Sequence, residues 1–156
     1  MKLEQFEMID RVEALCADPA AIRVAARVPQ ASPVFDGHFP GFPLLPGVLL
    51  LETMAQAGGY LLLSLCGLTR MPFLASVKSC NFRSMVLPGS ALTVEARRTH
   101  DGSGFAVLSA AVRSDGQRVA DATMMLRLVP FPNADLEACM RARVARLGLT
   151  QHAGVA

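Results

Sequence analysis

Apolar and polar positions divide the chain into short alternating stretches around one long apolar run. Leu92, Val94 and Ala96 fall on one side of an extended segment and Thr93, Glu95 and Arg97 on the other, the period of a sheet covered on one face. Comparable patterns predict strands over 11–15, 22–29, 73–86, 92–99, 105–113 and 119–129, with a bend near Cys80 in the long run 73–86. Turn signals separate them. Ala17-Asp18-Pro19 joins the first two strands, Asp101-Gly102-Ser103-Gly104 closes another, and Ser114-Asp115-Gly116-Gln117 has the chemistry of a tight hairpin.

Residues 44–68 are apolar over a length that could span a bilayer. Pro46-Gly47 near the start, Glu52 and Gln56 within, and Gly58-Gly59 in the middle argue against a membrane span. The flanking segments also have the pattern of soluble strands. The run predicts a helix over about 46–66, buried on all sides in a globular core, opened by Pro46 and stopped by Gly67. A loop rich in proline and glycine precedes it, over 30–45. Two strands, one long helix and four further antiparallel strands make an α+β plan, an antiparallel sheet wrapped around a long central helix.

From Asn133 a short C-terminal helix is expected. Leu136, Met140, Val144 and Leu147 form one stripe, Arg141, Arg143 and Arg146 lie off it, and Gly148 ends it. Such a helix packs on the sheet or on a dimer partner, or serves as a basic tail for another protein. Residues after 149 are expected to fray.

The chain has 156 residues, enough for one core, and is expected to form a single domain over 1–156 with a helical tail from 132. An apolar share of 52% and a charged share of 18% exclude a disordered chain. A net charge of +2 is too balanced for a dedicated nucleic-acid binder, and without Trp and with one Tyr there are few base-stacking platforms. Four cysteines stand apart at 16, 66, 80 and 139, with no CxxC pair, and are expected to be buried reduced thiols. Asp36 and His38 are neighbouring donors without a second histidine nearby, so no metal site is expected. Residues 1–10 lack the apolar core of an export signal, which points to the cytoplasm.

The chemistry concentrates between Phe35 and Gln56. His38 sits in a loop stiffened by Pro33, Pro40 and Pro43, Glu52 falls in the second turn of the apolar helix, and Gln56 lies one turn further on the same face. The amides of Gly47 and Val48 open that helix as free donors at its positive end. An imidazole titrates near neutrality and can take a proton from an acidic carbon. A carboxyl set in an apolar wall holds a proton that it can give away. An amide at a helix N-terminus can steady the oxygen of a carbonyl. Together these parts suit elimination of water next to a carbonyl, or its reverse. Each residue also has a plainer reading, His38 as a structural loop histidine and Glu52 as a buried acid satisfied by a partner. His100 and His152 are expected in an exposed loop and in the tail.

Gly37-His38-Phe39-Pro40, Pro43, Pro46-Gly47-Val48, Glu52 and Met54-Ala55-Gln56 together resemble the signature of the (3R)-3-hydroxyacyl-[acyl-carrier-protein] dehydratases of bacterial fatty-acid synthesis, which have the hot-dog fold. The resemblance extends more weakly from Met8-Ile9-Asp10-Arg11-Val12 to Phe82-Arg83 and Pro88-Gly89, and covers about 6–130. It implies that His38 and Glu52 form a catalytic pair, built at a homodimer interface with one residue from each protomer. It also implies that Gly47 offers its amide to the thioester carbonyl, with Val48 beside it, and that Gln56 supports the carboxylate. Phe39, Phe42 and Met71 are implied as apolar walls. Glu52, where the isomerising branch of the family carries Asp, points to the plain dehydratase. The implied substrate is an acyl chain on the phosphopantetheine arm of an acyl carrier protein, with no cofactor of the enzyme's own. Basic residues should meet that acidic partner, the candidates being Lys78, Arg83, Arg97 and Arg98, with Arg141, Arg143 and Arg146 on the tail.

Ser90 stands where the family usually has Asp, the Pro-His-Arg-x-Pro entry is missing, and the tail is longer than usual. These departures are similar to those of paralogues serving very long acyl chains on a dedicated carrier. Two other functions fit the same parts. A thioesterase of this fold would use Glu52 to activate water and leave His38 idle. A carrier-binding subunit without activity would need neither.

Overall fold

The computed structural model describes residues 1–149. Six strands form one antiparallel sheet: β1 (Arg11–Ala17), β2 (Ala20–Arg27), β3 (Met71–Phe82), β4 (Ala91–Gly102), β5 (Phe105–Ser114) and β6 (Gln117–Val129). Their order across the sheet is β1-β2-β4-β5-β6-β3, so β1 and β3 are its edges. Among the described residues, three α-helices accompany them, α1 (Val34–Gly37), α2 (Gly47–Leu65) and α3 (Ala134–Arg146), with a single 3-10 turn at Leu3–Gln5. The plan is the expected one, a sheet wrapped around a central helix with a short helix at the C-terminal end.

Turn chemistry places the strands. Asp115 and Gly116 take φ of 49° and 75°, the left-handed pair that matches the twist of a two-residue hairpin, and β5 and β6 pair from Ser114↔Gln117 onward. The inward side chains of β4, Leu92, Val94 and Ala96, are buried beneath α2. Pro72 lies on an edge strand, where its missing N–H breaks no ladder with a further strand of this chain.

Pro46 precedes α2 with φ −54° and ψ 134°, and Gly67 and Leu68 end it with φ of 59° and 56°. The Leu68 N–H returns to Leu63 O at 2.9 Å, which closes the last turn. Leu50, Met54, Leu61, Leu62 and Leu63 are buried in the core, each worth roughly 1.5–3 kcal/mol. A Cβ at Gly58 would stand 2.4 Å from Leu108 Cδ1, so the helix backbone touches down on β5 where the apolar run offers a residue without a side chain. The helix is long and apolar enough to cross a membrane, and instead forms the core of the sheet.

Burial on all sides, however, is not met. Val48 is 67% exposed, and Leu51, Glu52, Gln56 and Gly59 are half-buried. The sheet of one chain covers one side of the helix and leaves this stripe open.

Other expectations also change. β3 stops at Phe82 rather than continuing to 86, and its irregularities fall between Leu74 and Ser76 and between Val77 and Ser79, not at Cys80. Beyond it the chain leaves the sheet to brace the loop before α2, with Leu45 N–H on Val86 O at 2.8 Å. The predicted loop contains α1, a single turn too short to produce a periodic pattern. His100 is exposed on β4 rather than in a loop, and His152 lies outside the described residues. All four cysteines are free, but Cys16 and Cys139 are exposed and Cys66 and Cys80 half-buried. Burial raises the Cys80 thiol pKa, and the Asp121 charge adds to the effect.

α3 is capped by Asn133, whose Oδ1 accepts from Leu136 N–H at 2.8 Å, and it buries Met140 and Val144. Its arginines tie it down. Arg141 donates to Leu68 O at 3.3 Å, and Arg146 and Arg143 reach Glu7 Oε1 at 3.1 and 3.6 Å.

Candidate active site

The loop before α2 is fixed by its own backbone. Phe39 and Phe42 exchange N–H···O bonds of 3.1 and 2.9 Å around Pro40-Gly41, with Gly41 at φ 76°. Proline presets the first turn position and glycine supplies the left-handed second. His38 N–H donates to Phe35 O at 3.2 Å, and Leu44 N–H donates to His38 O at 2.9 Å. The imidazole stacks on the Phe39 ring with centroids 4.1 Å apart. Main chain and side chain of His38 are thus both held.

No side chain caps α2, which leaves the amides of Gly47 and Val48 uncommitted. The Phe82 ring covers Gly47. A Cβ there would lie 3.2 Å from three of its ring carbons, so only glycine lets the ring approach so closely.

Glu52 and Gln56 meet one turn apart. Gln56 Nε2 donates to Glu52 Oε1 at 2.8 Å and to Phe6 O at 2.7 Å, while Gln56 Oε1 accepts from Met8 N–H at 3.2 Å. The side-chain amide is therefore locked on both ends to the N-terminal segment, and it holds the carboxylate in one direction. Both residues line a cavity of about 520 Å³, walled by Gly59, Tyr60 and Leu63 of α2, Met71–Leu74 of β3, and Met140 and Arg143 of α3. Burial pushes the Tyr60 phenol up, and the Arg143 guanidinium beside it pulls the other way.

His38 does not line this cavity. Phe39 lines a separate hollow with Phe35, Asp36 and Pro43. Phe42 and Val48 are exposed. Within one chain, then, Glu52, Gln56 and Met71 share a cavity and His38 stands elsewhere. The basic candidates are likewise not gathered. Lys78 is on edge strand β3 and Arg83 just beyond it, while Arg97 and Arg98 are on β4, separated from β3 by two strands. Arg83 is bound to Asp121 at 2.6 Å and Arg98 to Asp101 at 2.8 Å, whereas Lys78 and Arg97 are exposed. The Arg83 guanidinium, with Asn81, holds the Asp121 carboxyl below its usual range.

The structure adds roles that the sequence did not assign. Phe6 and Met8 act through backbone atoms, which leave no mark in composition. Tyr60 had a signal, since it follows Glu52 and Gln56 at helical spacing and is the only tyrosine. Phe82 enters the sequence reading only through the weaker resemblance over Phe82-Arg83, which attaches no role to it.

A six-stranded antiparallel sheet curled around one long helix, with an acid and an amide at the open side of that helix, defines a hot-dog-fold protein. The chain belongs to the FabA-like domain family, whose profile matches residues 2–123. It is 34% identical over 126 residues to the 3-hydroxyacyl-[acyl-carrier-protein] dehydratase FabZ of Bartonella quintana, across 80% of this chain and 81% of that one. It is 38% identical over 126 residues to the FabZ dehydratase of Symbiobacterium thermophilum, across 80% and 87%. Among solved structures, a hypothetical protein of Staphylococcus aureus superposes with a TM-score of 0.65 at 18% identity, covering 83% of this chain and 98% of that one. A dehydratase heterocomplex of Xenorhabdus doucetiae superposes with a TM-score of 0.55 at 22% identity, covering 69% and 87%. At these identities the two structures speak for the fold alone.

Proposed function

We propose that this protein removes water from (3R)-3-hydroxyacyl thioesters carried by an acyl carrier protein, giving trans-2-enoyl thioesters in fatty-acid or lipid biosynthesis, and that it runs the reverse hydration as well. The observation that carries this reading is the placement of Glu52: a carboxylate aimed by Gln56 from a wall of an apolar cavity, in a chain of the FabA-like family.

His38 takes the C2 proton. The electrons of that C–H bond form the C2=C3 double bond as the C3–O bond breaks. Glu52 gives its proton to the departing hydroxyl, which leaves as water. The Gly47 amide steadies the thioester oxygen while negative charge passes through it. Exchange with water returns one proton to Glu52 and removes one from His38. No cofactor takes part, and the phosphopantetheine arm arrives with the substrate. Exposed Lys78 and Arg97 are available to an acidic carrier. The reaction belongs to the cytoplasm, where acyl carriers are loaded.

The separation of His38 from the Glu52 cavity supports a site completed by a second copy. The open stripe of α2 and the exposed Phe73, Leu74 and Val77 of edge strand β3 offer the surface for that copy. His38 of one protomer would then face Glu52 of the other.

The test is loss of enoyl-thioester absorbance on adding the protein to crotonyl-carrier. Acid–base residues contribute about 10²–10⁴-fold each, so His38→Ala and Glu52→Gln, folded by circular dichroism, should fall by that order. Turnover that survives in both variants overturns the mechanism. Free thiol released without hydration, read with a thiol-reactive dye, would instead identify a thioesterase, and carrier binding without either reaction would identify a binding subunit.

A further inference from the structure

Part of the wall of the cavity beside Glu52 comes from α3, which lies outside the family match. On α2 the lining residues Glu52, Gln56, Gly59, Tyr60 and Leu63 recur at the spacing of one helix face. Tyr60 stands about 12 Å along the axis from Glu52, and Leu63 about 16 Å. Gly59 keeps this path open. A Cβ there would meet only Pro72 Cγ, at 3.8 Å, and a longer side chain would fill the channel. The opposite wall, Phe73, Leu74 and Leu126, is apolar.

α3 meets the cavity at the Tyr60 end. Met140 and Arg143 both line it, and the Arg143 guanidinium faces the Tyr60 hydroxyl. Met140 is 9% exposed and packs into the core cluster. The helix is fastened there by Glu7, which receives Arg146 at 3.1 Å and Arg143 at 3.6 Å. The FabA-like match stops at residue 123, so this wall is supplied by sequence beyond the matched residues.

We propose that α3 sets the acyl-chain length this enzyme accepts, with Met140 as the stop that the distal end of the chain meets and Arg143, braced by Tyr60 and Glu7, closing the channel behind it. The assignment rests on the dehydratase reading, because it takes the cavity beyond Glu52 as the path of the acyl chain. A flexible, unbranched thioether suits such a stop, since it yields to apolar groups of differing shape. Burial of one methylene is worth enough to change kcat/KM roughly fourfold, so a wall moved by one side chain shifts the preferred length measurably.

The experiment compares wild type, Met140→Ala and Met140→Trp on trans-2-enoyl-pantetheine thioesters from crotonyl to hexadecenoyl. The quantity read is the ratio of kcat/KM on long chains to that on short ones. Met140→Ala should raise the ratio, by roughly fourfold for each methylene newly accommodated, and Met140→Trp should lower it, both through KM. Because the two variants move the ratio in opposite directions, general loss of folded protein, which lowers all chain lengths alike, does not imitate the result. Wild-type ratios in both variants overturn the assignment and leave the dehydratase reading in place. No turnover by wild type at any length overturns that reading, and the assignment with it.

Discussion

Gln56 donates to the Glu52 carboxylate at 2.8 Å from one helical turn away, and the same nitrogen donates to the Phe6 carbonyl at 2.7 Å. The carboxylate is therefore positioned by a residue anchored to a different part of the chain. Without that anchor a glutamate on a half-open helix face would sample several rotamers.

Replacing Gln56 by Ala should separate catalysis from folding in degree. Misplacement of a reacting group by about 1 Å can reduce rate by about a hundredfold, so kcat should drop by up to that factor with KM less affected. The Met8 N–H and Phe6 O lose their partner at a cost of about 1–3 kcal/mol. Steady-state kinetics together with urea unfolding read the two effects. A variant with wild-type kcat would remove Gln56 from the role of positioning Glu52.

A site shared between protomers predicts complementation. His38→Ala and Glu52→Gln proteins, each inactive alone, should regain activity when unfolded together and refolded. Random pairing makes half the dimers mixed, each with one intact site, so about a quarter of wild-type activity should return. Mixtures as inactive as their parents would place both residues in one chain.

Acid should loosen α3. The Arg146 guanidinium on Glu7, with Arg143 and Lys2 nearby, holds the Glu7 carboxyl below its ordinary value. A depressed carboxyl stabilises the fold above its unfolded pKa, near 4.3, and loses that contribution as pH falls through the folded value. Glu7→Gln should therefore melt below wild type at neutral pH, and the gap in Tm should close as the pH is lowered below about 4. A gap that stays constant with pH would mean that the charge on Glu7 does not hold α3.

Packing at Gly58 gives a stability test away from the chemistry. A valine there drives its methyl groups into Leu108, which is fully buried beneath the helix. Overpacking of this kind destabilises by about 1–3 kcal/mol, to be read as a lower urea midpoint at unchanged m-value.

Much of this architecture is legible in the sequence because its signals are local. Pro46 and Gly67 bracket the long helix, Asp115-Gly116 dictates a hairpin, and the alternation through Leu92, Val94 and Ala96 names the face that meets the core. The candidate site shares this property in part, since Glu52 and Gln56 are one turn apart on one helix. What escaped depends on distant pairings. The grip of Gln56 on Phe6 and Met8 uses main-chain atoms that every sequence possesses. α1 is too short for a period. Beyond β3 the chain turns away to pair Val86 with Leu45, and the open stripe of α2 is marked in sequence only by Glu52 and Gln56 among apolar neighbours. That His38 lies outside the Glu52 cavity of its own chain follows from the loop's path, which spacing alone does not give.

The two edges of the sheet differ in consequence. β1 is short and irregular, with a register shift between Val12 and Ala14, a poor template for another strand. β3 is 12 residues long and exposes Phe73, Leu74, Val77 and Phe82. A free edge of that length recruits foreign strands as readily as its own copy. With the second copy proposed above seated on β3, dilution would cost the protein both its shared site and the cover of this edge.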